Sequence, residues 1–366
     1  MKSICFVSTL AYPLFNPSVS DSVGGAETQQ KILAEELVRR RYSVSFVVGD
    51  YGQDAIEEVG NIRLFKCKTA KNRNTLLNIP GTYRSLAKAM KAADADLYTQ
   101  RTNPFYTGQV ALWCKMRGKR FVYFTGHDSN CDVSFLPKPM NSLVFLAYKM
   151  GLNIADEIVV QSKAQQEMLR KNFSHESTII RSLFNKSSVT EESINVKQNK
   201  VISVGTMLPK KRPEIFIELA GYFPNIEFHL IGSGKKDYVN KLRHDSAESN
   251  NVKFLGTLKN EKLAEEYRSA KALIMTSSAE GFPNVFLEAW HYGTPILSLG
   301  IDPDGLLSMG AGLKSDSFEE LKAALTKLLE DEQLGAEFVT AGRKILKDEF
   351  NFSNSVDSIL KVTGLA

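Results

Sequence analysis

Apolar runs of strand length alternate with segments of helical period along this chain, and the alternation occurs twice. "SICFVST" (3–9) is the first run. "ETQQKILAEELVRRR" (27–41) follows, with Ile32, Leu33, Leu37 and Val38 on one face of a 3.6-residue period. "SVSFVVG" (43–49), "IRLFKC" (62–67), "DLYTQ" (96–100), "RFVYFTG" (120–126) and "EIVVQS" (157–162) continue the pattern, with helical segments such as "GTYRSLAKAMKAAD" (81–94) between them. Strands buried on both faces and separated by helices predict a doubly wound parallel sheet. The polar stretch "NKSSVTEESINVKQNK" (185–200) has no apolar period and reads as a linker. The alternation restarts at "VISVGT" (201–206) and runs through "IEFHLIGSG" (226–234), "VKFLGTL" (252–258), "ALIMTSS" (272–278) and "TPILSLG" (294–300). A length of 366 residues exceeds one ordinary core and suits two. The expected architecture is α/β: two Rossmann-like domains, 1–190 and 191–348, facing a central cleft, followed by a helix over 349–366.

Composition narrows the partners. The longest apolar runs are short, as in "LVFLAY" (143–148), far below the ~20 residues of a membrane-spanning helix. The N-terminus reads directly into a strand rather than a signal peptide. Cys5, Cys67, Cys114 and Cys131 form no pair with zinc-ligand or redox spacing, so reduced thiols and a cytoplasmic location are expected. Residues 1–190 carry 25 Lys and Arg against 16 Asp and Glu, whereas residues 191–366 carry 21 against 25. The basic half suits an anionic partner or the inner face of a membrane, and ordinary solvated lysines would give the same count. No basic stripe is interleaved with exposed-looking aromatic residues, which makes nucleic acid the weakest of these partners, and none is expected. The apolar patch "FLPKPMNSLVFLAY" (135–148) fits a lipid-linked acceptor, and a buried core helix would read the same way.

In open parallel sheets, ligands bind beyond the carboxyl ends of the strands. "SSAEGFPNVFLEAWHYGTPILS" (277–298) is such a place: a strand end, a glycine turn at Glu280–Gly281, then a helix stopped by Gly293 and Pro295. Pro283 suits an N1-like position and Asn284 the helix start. The N–H groups of Gly281, Phe282, Asn284 and Val285, together with the helix dipole, would form an anion site. A carboxylate beside that site is repelled unless the ligand also offers hydroxyl donors. Glu280 and, eight residues on, Glu288 would then bracket a sugar–diphosphate–ribose ligand. Taken singly, Glu280 could cap a turn and Glu288 could be solvated.

These residues resemble the retaining glycosyltransferases of family 4, which have the two-domain GT-B fold. The resemblance rests on Glu280–x7–Glu288 within "EGFPNVFLEAWHYGTPIL", on "SVGTMLPKKRPEIFIELA" (203–220) and on "GGAETQQKILAEEL" (24–37). "LIGSG" (230–234), "VKFLGTL" (252–258) and "FTGHD" (124–128) are weaker echoes. The resemblance implies transfer of a sugar from a nucleotide-sugar donor, UDP- or GDP-linked, to a glycan or lipid-linked acceptor, with retained configuration. It implies no cofactor and no required metal, and a terminal helix that crosses back to the N-terminal domain. Residue by residue, Lys211 is similar to the lysine that neutralises the departing diphosphate, Gly24 and Gly25 to glycines that approach it, and His127 to the histidine that reaches the donor sugar. Asp128 would orient His127 or meet the acceptor. Thr206 stands where the family usually has arginine, and Arg212 is expected to make up that charge.

The remaining motifs point elsewhere. "DAD" (94–96) and "DPD" (302–304) have a metal-binding shape but read as turns. "GSGKKD" (232–237) has Asp237 where a dinucleotide fingerprint needs its third glycine. Three other readings stay open: a related epimerase or phosphorylase, a non-catalytic nucleotide-sugar-binding scaffold, and, more distantly, an NAD-dependent oxidoreductase.

Overall fold

The computed structural model of the chain describes residues 2–19, 24–69, 79–132, 142–184, 197–258 and 260–366. Residues 185–196 of the expected linker and 135–141 of the apolar patch lie outside the described residues. Two compact units result. Unit 1 comprises Met1–Leu183 with Phe352–Ala366, and unit 2 comprises Phe184–Asn351.

Unit 1 runs β1 (Ser3–Val7), α1 (Gly25–Arg39), β2 (Ser43–Gly49), β3 (Ile56–Val59), β4 (Ile62–Cys67), α2 (Ile79–Ala93), β5 (Leu97–Arg101), α3 (Pro104–Arg117), β6 (Arg120–Phe124), α4 (Ser142–Ile154), β7 (Glu157–Val160), α5 (Lys163–Phe173) and β8 (Thr178–Ile179). The spatial order is β3-β4-β2-β1-β5-β6-β7-β8. Every pairing is parallel except β3–β4. That exception follows from a two-residue turn, Gly60–Asn61, with φ of +56° and +64°. This geometry suits a tight hairpin, and glycine and asparagine tolerate it. The alternation of side chains along β1 splits the core. Cys5 and Val7 join Tyr98, Val110 and Tyr148 on one face. Ile4 and Phe6 join Leu33, Leu37 and Phe46 on the other, where the Phe6 and Phe46 rings stack at 4.8 Å. All four cysteines are buried free thiols, and burial pushes Cys5 and Cys67 up to about 12.

Unit 2 runs β9 (Lys200–Val204), α6 (Pro213–Ala220), β10 (Glu227–Ile231), α7 (Lys236–Asp245), β11 (Val252–Gly256), α8 (Asn260–Ser269), β12 (Ala272–Met275), α9 (Asn284–Tyr292), β13 (Ile296–Leu299), β14 (Leu313–Ser315), α10 (Phe318–Glu330) and α11 (Glu332–Glu349). Its six strands, in the order β11-β10-β9-β12-β13-β14, are all parallel. Trp290 of α9 is fully buried and donates from Nε1 to Ala311 O at 2.9 Å. A Cβ on Gly342 would lie 2.1 Å from its ring, so glycine lets α11 cross there.

The chain then returns to unit 1 as α12 (Phe352–Thr363). Val356, Ile359 and Leu360 enter the core with Ile4 and Leu37. Polar bonds fix the helix: Lys2 Nζ donates to Ala366 O at 2.6 Å, Tyr42 Oη to Leu365 O at 3.1 Å and Arg120 Nη2 to Val362 O at 3.0 Å. Among the described residues, no helix is long and apolar enough to cross a membrane.

In each sheet the chain lays strands to one side, then returns to lay the rest on the other. The reversal falls between β1 and β5 in unit 1 and between β9 and β12 in unit 2. Such switch points open a crevice at the carboxyl ends of the strands.

Candidate active site

In unit 2 the strand ends are shaped by glycine. Gly205, Gly232 and Gly256 close β9, β10 and β11 with φ of +151°, +142° and +67°. Gly205 N donates to Ile231 O at 2.9 Å and Gly232 N to Gly256 O at 2.8 Å, which draws the three loops together main chain to main chain. A Cβ on Gly232 would lie 1.9 Å from Gly205 O, so no larger residue fits.

The following turn, Pro209–Lys211, is stapled to the end of β12. Thr276 Oγ1 donates to Lys211 O at 2.8 Å and to Arg212 O at 2.9 Å, and Ser278 N donates to Lys210 O at 2.8 Å. Arg212 sits at φ +48°. Its Nε donates to Thr276 O at 2.5 Å, and its Nη2 reaches Ser277 O at 3.2 Å and Leu299 O at 3.3 Å. The side chain expected to replace the charge missing at Thr206 thus has two nitrogens committed to the ends of β12 and β13. The carbonyls of two parallel strands converge there, and a guanidinium is the group that can bridge them.

This staple aims Lys211 at Glu280. Their side chains form an ion pair, with Lys211 27% and Glu280 8% exposed. Phe282 anchors the Glu280 loop by packing on Phe350 at 4.8 Å between ring centroids. Gly281 is buried, and Pro283 is the N-cap of α9, one position before the N1-like place expected for it. Phe286 N donates to Pro283 O at 3.0 Å, closing the first turn. The crevice at the β9–β12 switch point is lined by Gly205, Thr206, Lys211, Thr276, Ser277 and Val285. The structure therefore brings two separate sequence motifs, "SVGTMLPKKRPEIFIELA" and "SSAEGFPNVFLEAWHYGTPILS", to one place in unit 2.

Glu288 lies one turn further along α9 and is half-buried. Its Oε2 accepts from Tyr267 Oη at 2.9 Å. Burial, reinforced by that carboxylate, pushes Tyr267 well above its ordinary range, so the phenol remains a donor. Tyr267 also stacks on Tyr292 at 5.8 Å. Sequence spacing gave no sign of Tyr267, because the partner lies on α8, beyond β12 in the chain.

The remaining expected residues belong to unit 1. Gly24 is the exposed N-cap of α1 with an extended backbone (φ −84°, ψ 168°), and Gly25 begins the helix. His127 is exposed beyond β6 as the N-cap of a short turn, Asp128–Asn130. Asn130 Oδ1 accepts from Gly126 N and His127 N, each at 3.0 Å. Asp128 Oδ1 accepts from Gln165 Nε2 at 3.0 Å, and Gln165 Oε1 accepts from Thr125 Oγ1 at 2.7 Å and Gln161 N at 3.0 Å. This chain of bonds holding Asp128 was also unmarked in the sequence. Asp302 accepts from Leu307 N at 2.8 Å and Ser308 N at 3.1 Å, a turn-capping arrangement. Asp96 accepts from Ser3 N at 2.9 Å.

The family model described as Glycosyltransferase Family 4 matches residues 23–182, and that described as Glycosyl transferases group 1 matches residues 185–345. A lipopolysaccharide core biosynthesis glycosyltransferase, LpsE, of Rhizobium meliloti is 27% identical over 167 residues, 44% of this chain. The chain spans about half the length of that relative, 48% of it. An uncharacterized glycosyltransferase of Methanocaldococcus jannaschii is 22% identical over 334 residues, 90% of this chain and 92% of the relative. Among solved structures, Anabaena HepE in complex with UDP-glucose superposes with a TM-score of 0.74 at 17% identity, covering 100% of both chains. One family model covers each half in turn, and the whole chain has the fold of solved glycosyltransferases: it belongs to the family 4 glycosyltransferases of GT-B fold.

Proposed function

We propose that this glycosyltransferase moves a sugar from a nucleoside-diphosphate donor to an acceptor hydroxyl with retained configuration, in the building of a surface glycan. The observation that carries the reading is the Lys211–Glu280 pair at the mouth of the β9–β12 crevice, beside the N-terminus of α9. Without ligand the two charges neutralise each other. A donor would separate them usefully: its diphosphate takes Lys211 and the outward N–H groups of the first turn of α9, while its sugar hydroxyls donate to Glu280. Glu288, which accepts from Tyr267, would accept from ribose hydroxyls as well. As the glycosidic bond breaks, charge gathers on the leaving diphosphate and the sugar becomes oxocarbenium-like. Lys211 stabilises that charge. The acceptor oxygen bonds to the anomeric carbon on the face the diphosphate vacates, and its proton passes to a phosphate oxygen. The reaction as proposed requires no metal.

The Anabaena protein was solved with UDP-glucose, which makes UDP-sugars the first donors to test and GDP-sugars the second. The deciding experiment is a thermal-shift panel of UDP, GDP, ADP and CDP sugars, followed by NMR of the product's anomeric proton in buffer with and without EDTA. Stabilisation by one nucleotide series, with the anomer retained, supports the proposal. An inverted product or metal-dependent turnover contradicts that part of it.

A lipid-linked acceptor is favoured by a second observation. Leu143, Leu146 and Met150 of α4 are 51%, 62% and 37% exposed, and Leu112 and Met116 of α3 are 37% and 60% exposed. The two helices pack closely, since a Cβ on Gly108 of α3 would lie 2.3 Å from Ala147 O of α4. Lys115, Arg117 and Lys149 flank these residues in sequence. Flotation with anionic phospholipid vesicles, reduced by Leu146→Asp, is the expected result. Equal flotation of the variant would remove this surface from the role.

A further inference from the structure

The chain passes between the two units twice, from Leu183 to Phe184 and from Asn351 to Phe352. On the unit 1 side both passages are fixed. Leu183 N donates to Gln29 Oε1 at 2.5 Å, and Leu183 O accepts from Gln29 Nε2 at 2.9 Å. Leu183 and Phe352 pack in the core around Ile4 and Leu37. On the unit 2 side each passage meets a phenylalanine. Phe350 is the C-cap of α11, 3% exposed, and its ring packs on Phe282. Phe184 packs on His291 of α9, with ring centroids 5.2 Å apart. Both pack in the core around Phe286 and Trp290 of α9.

Core phenylalanines ordinarily do no more than fill volume. These two stand against the residues that hold the acids of the candidate site. Phe282 lies two residues beyond Glu280, and Gly281 between them adds no side chain to hold the turn. The Phe350 ring therefore backs the turn that carries Glu280. His291 lies three residues beyond Glu288 on α9, a neighbour one turn along the helix. Its ring meets Tyr292 at 4.7 Å, Tyr292 stacks on Tyr267, and Tyr267 donates to Glu288. Lys197 fixes the same end of α9, since its Nζ donates to Gly293 O at 2.7 Å and to Arg268 O at 2.9 Å. Arg268 in turn lies over the Tyr292 ring at 5.2 Å. One passage thus braces the turn before α9, and the other braces its last turn.

We infer that Phe350 and Phe184 are positioning residues for the donor. Phe350, through Phe282, sets Glu280 against the transferring sugar. Phe184, through His291 and Tyr292, sets Tyr267 and Glu288 against the ribose. The inference rests on the proposed roles of those two acids, and it divides the work: one passage serves the rate of transfer, the other serves nucleotide affinity.

The test uses the full chain with UDP and UDP-glucose, or the GDP pair if that series is the one that stabilises the protein. Calorimetric titration with the nucleotide alone reads the ribose side. Nucleotide release from the nucleotide-sugar at saturation reads the sugar side. Phe350→Ala should lower the saturated rate by about tenfold or more, the scale on which a misplaced reacting group is felt. Phe184→Ala should raise the nucleotide Kd about fivefold, as a weakened hydrogen bond to a carboxylate would. Each variant should change the other readout less than its counterpart does. Phe350→Met is long enough to reach the Phe282 ring and should recover most of the rate. Should Phe350→Ala fail to fold, Phe350→Leu decides in its place. Phe338→Leu is the control, because Phe338 lies on α11 in the other core of unit 2, with Leu321 and Leu325. It should lower Tm and leave both readouts as in wild type. Parallel losses in the two phenylalanine variants, or wild-type values in either, overturn the inference. Glu280→Ala and Glu288→Ala are measured alongside. If they keep the rate and the affinity, the donor reading itself falls and this inference with it. If they lose them while the phenylalanine variants do not, this inference alone falls.

Discussion

The two switch-point crevices sit at equivalent places in their sheets yet are built from different material. In unit 2 the strand ends are glycines, and the loops interlock through Gly205, Gly232 and Gly256 by main-chain bonds. The few side chains present satisfy one another, Lys211 with Glu280 and Tyr267 with Glu288. In unit 1 the strand ends carry Thr99, Arg101, Thr125 and Gln161, and the lining retains unpaired donors. A crevice walled by main chain presents the same N–H and C=O pattern whatever the neighbouring residues are. A crevice walled by side chains changes its chemistry with every substitution. The first suits a ligand part that does not vary, the second a part that does.

The comparison can be broken most sharply at Lys211. Lys211→Ala and Glu280→Ala should each lower donor turnover by about 100-fold or more, the usual scale for a transition-state electrostatic contact. Near-normal turnover in either would remove the pair from catalysis. The next effect is on stability. Gly232→Ala places a methyl against Gly205 O at φ +142°, and should cost about 3 kcal/mol. Gly60→Ala in unit 1, at φ +56° with nothing within 4 Å, should cost only about 1 kcal/mol. Thermal denaturation of both variants checks the contrast, and equal losses would contradict the main-chain account of unit 2. Arg212→Met leaves three strand-end carbonyls short of a donor and should cost about 2 kcal/mol, with turnover falling as the Lys211 turn loosens. Wild-type melting and kinetics would show that the staple does nothing. Tyr267→Phe is the gentlest: loss of one donor to Glu288 should cost about 1 kcal/mol. It should also weaken UDP affinity if Glu288 meets the ribose, which calorimetric titration would measure.

Sequence reasoning located these features unevenly, for physical reasons. β2 was legible residue by residue because it is covered along nearly its whole length, and β4 because its buried Ile62, Leu64, Phe65 and Cys67 outnumber the exposed Arg63 and the half-buried Lys66. Strands expected to run into "TSS" and "GSG" stop earlier, at Met275 and Ile231: Thr276 and Ser277 turn away to line the crevice, and Gly232 breaks the strand at φ +142°. β3 was missed: it is an edge strand with exposed Ile56 and Val59, and only the Gly60–Asn61 turn marks it. β8 and β14, of two and three residues, are too short to show a period. In the candidate site, Glu280 was legible from the strand end, glycine turn and helix around it, and Lys211 from the resemblance of "SVGTMLPKKRPEIFIELA" to the family. Tyr267 beside Glu288, and Thr99 and Arg101 beside Gln30, were not. Those neighbours are set by strand order, which short-range spacing does not encode.

The return of α12 to unit 1 has a consequence during synthesis. A ribosome delivers Phe352–Thr363 only after all of unit 2 has been made. Until then the nascent first unit lacks Val356, Ile359 and Leu360, and the apolar surface around Ile4 and Leu37 stays uncovered. The unit translated first is therefore completed last, and a chain stalled before Phe352 would expose a sticky flank for chaperones or neighbouring chains to bind.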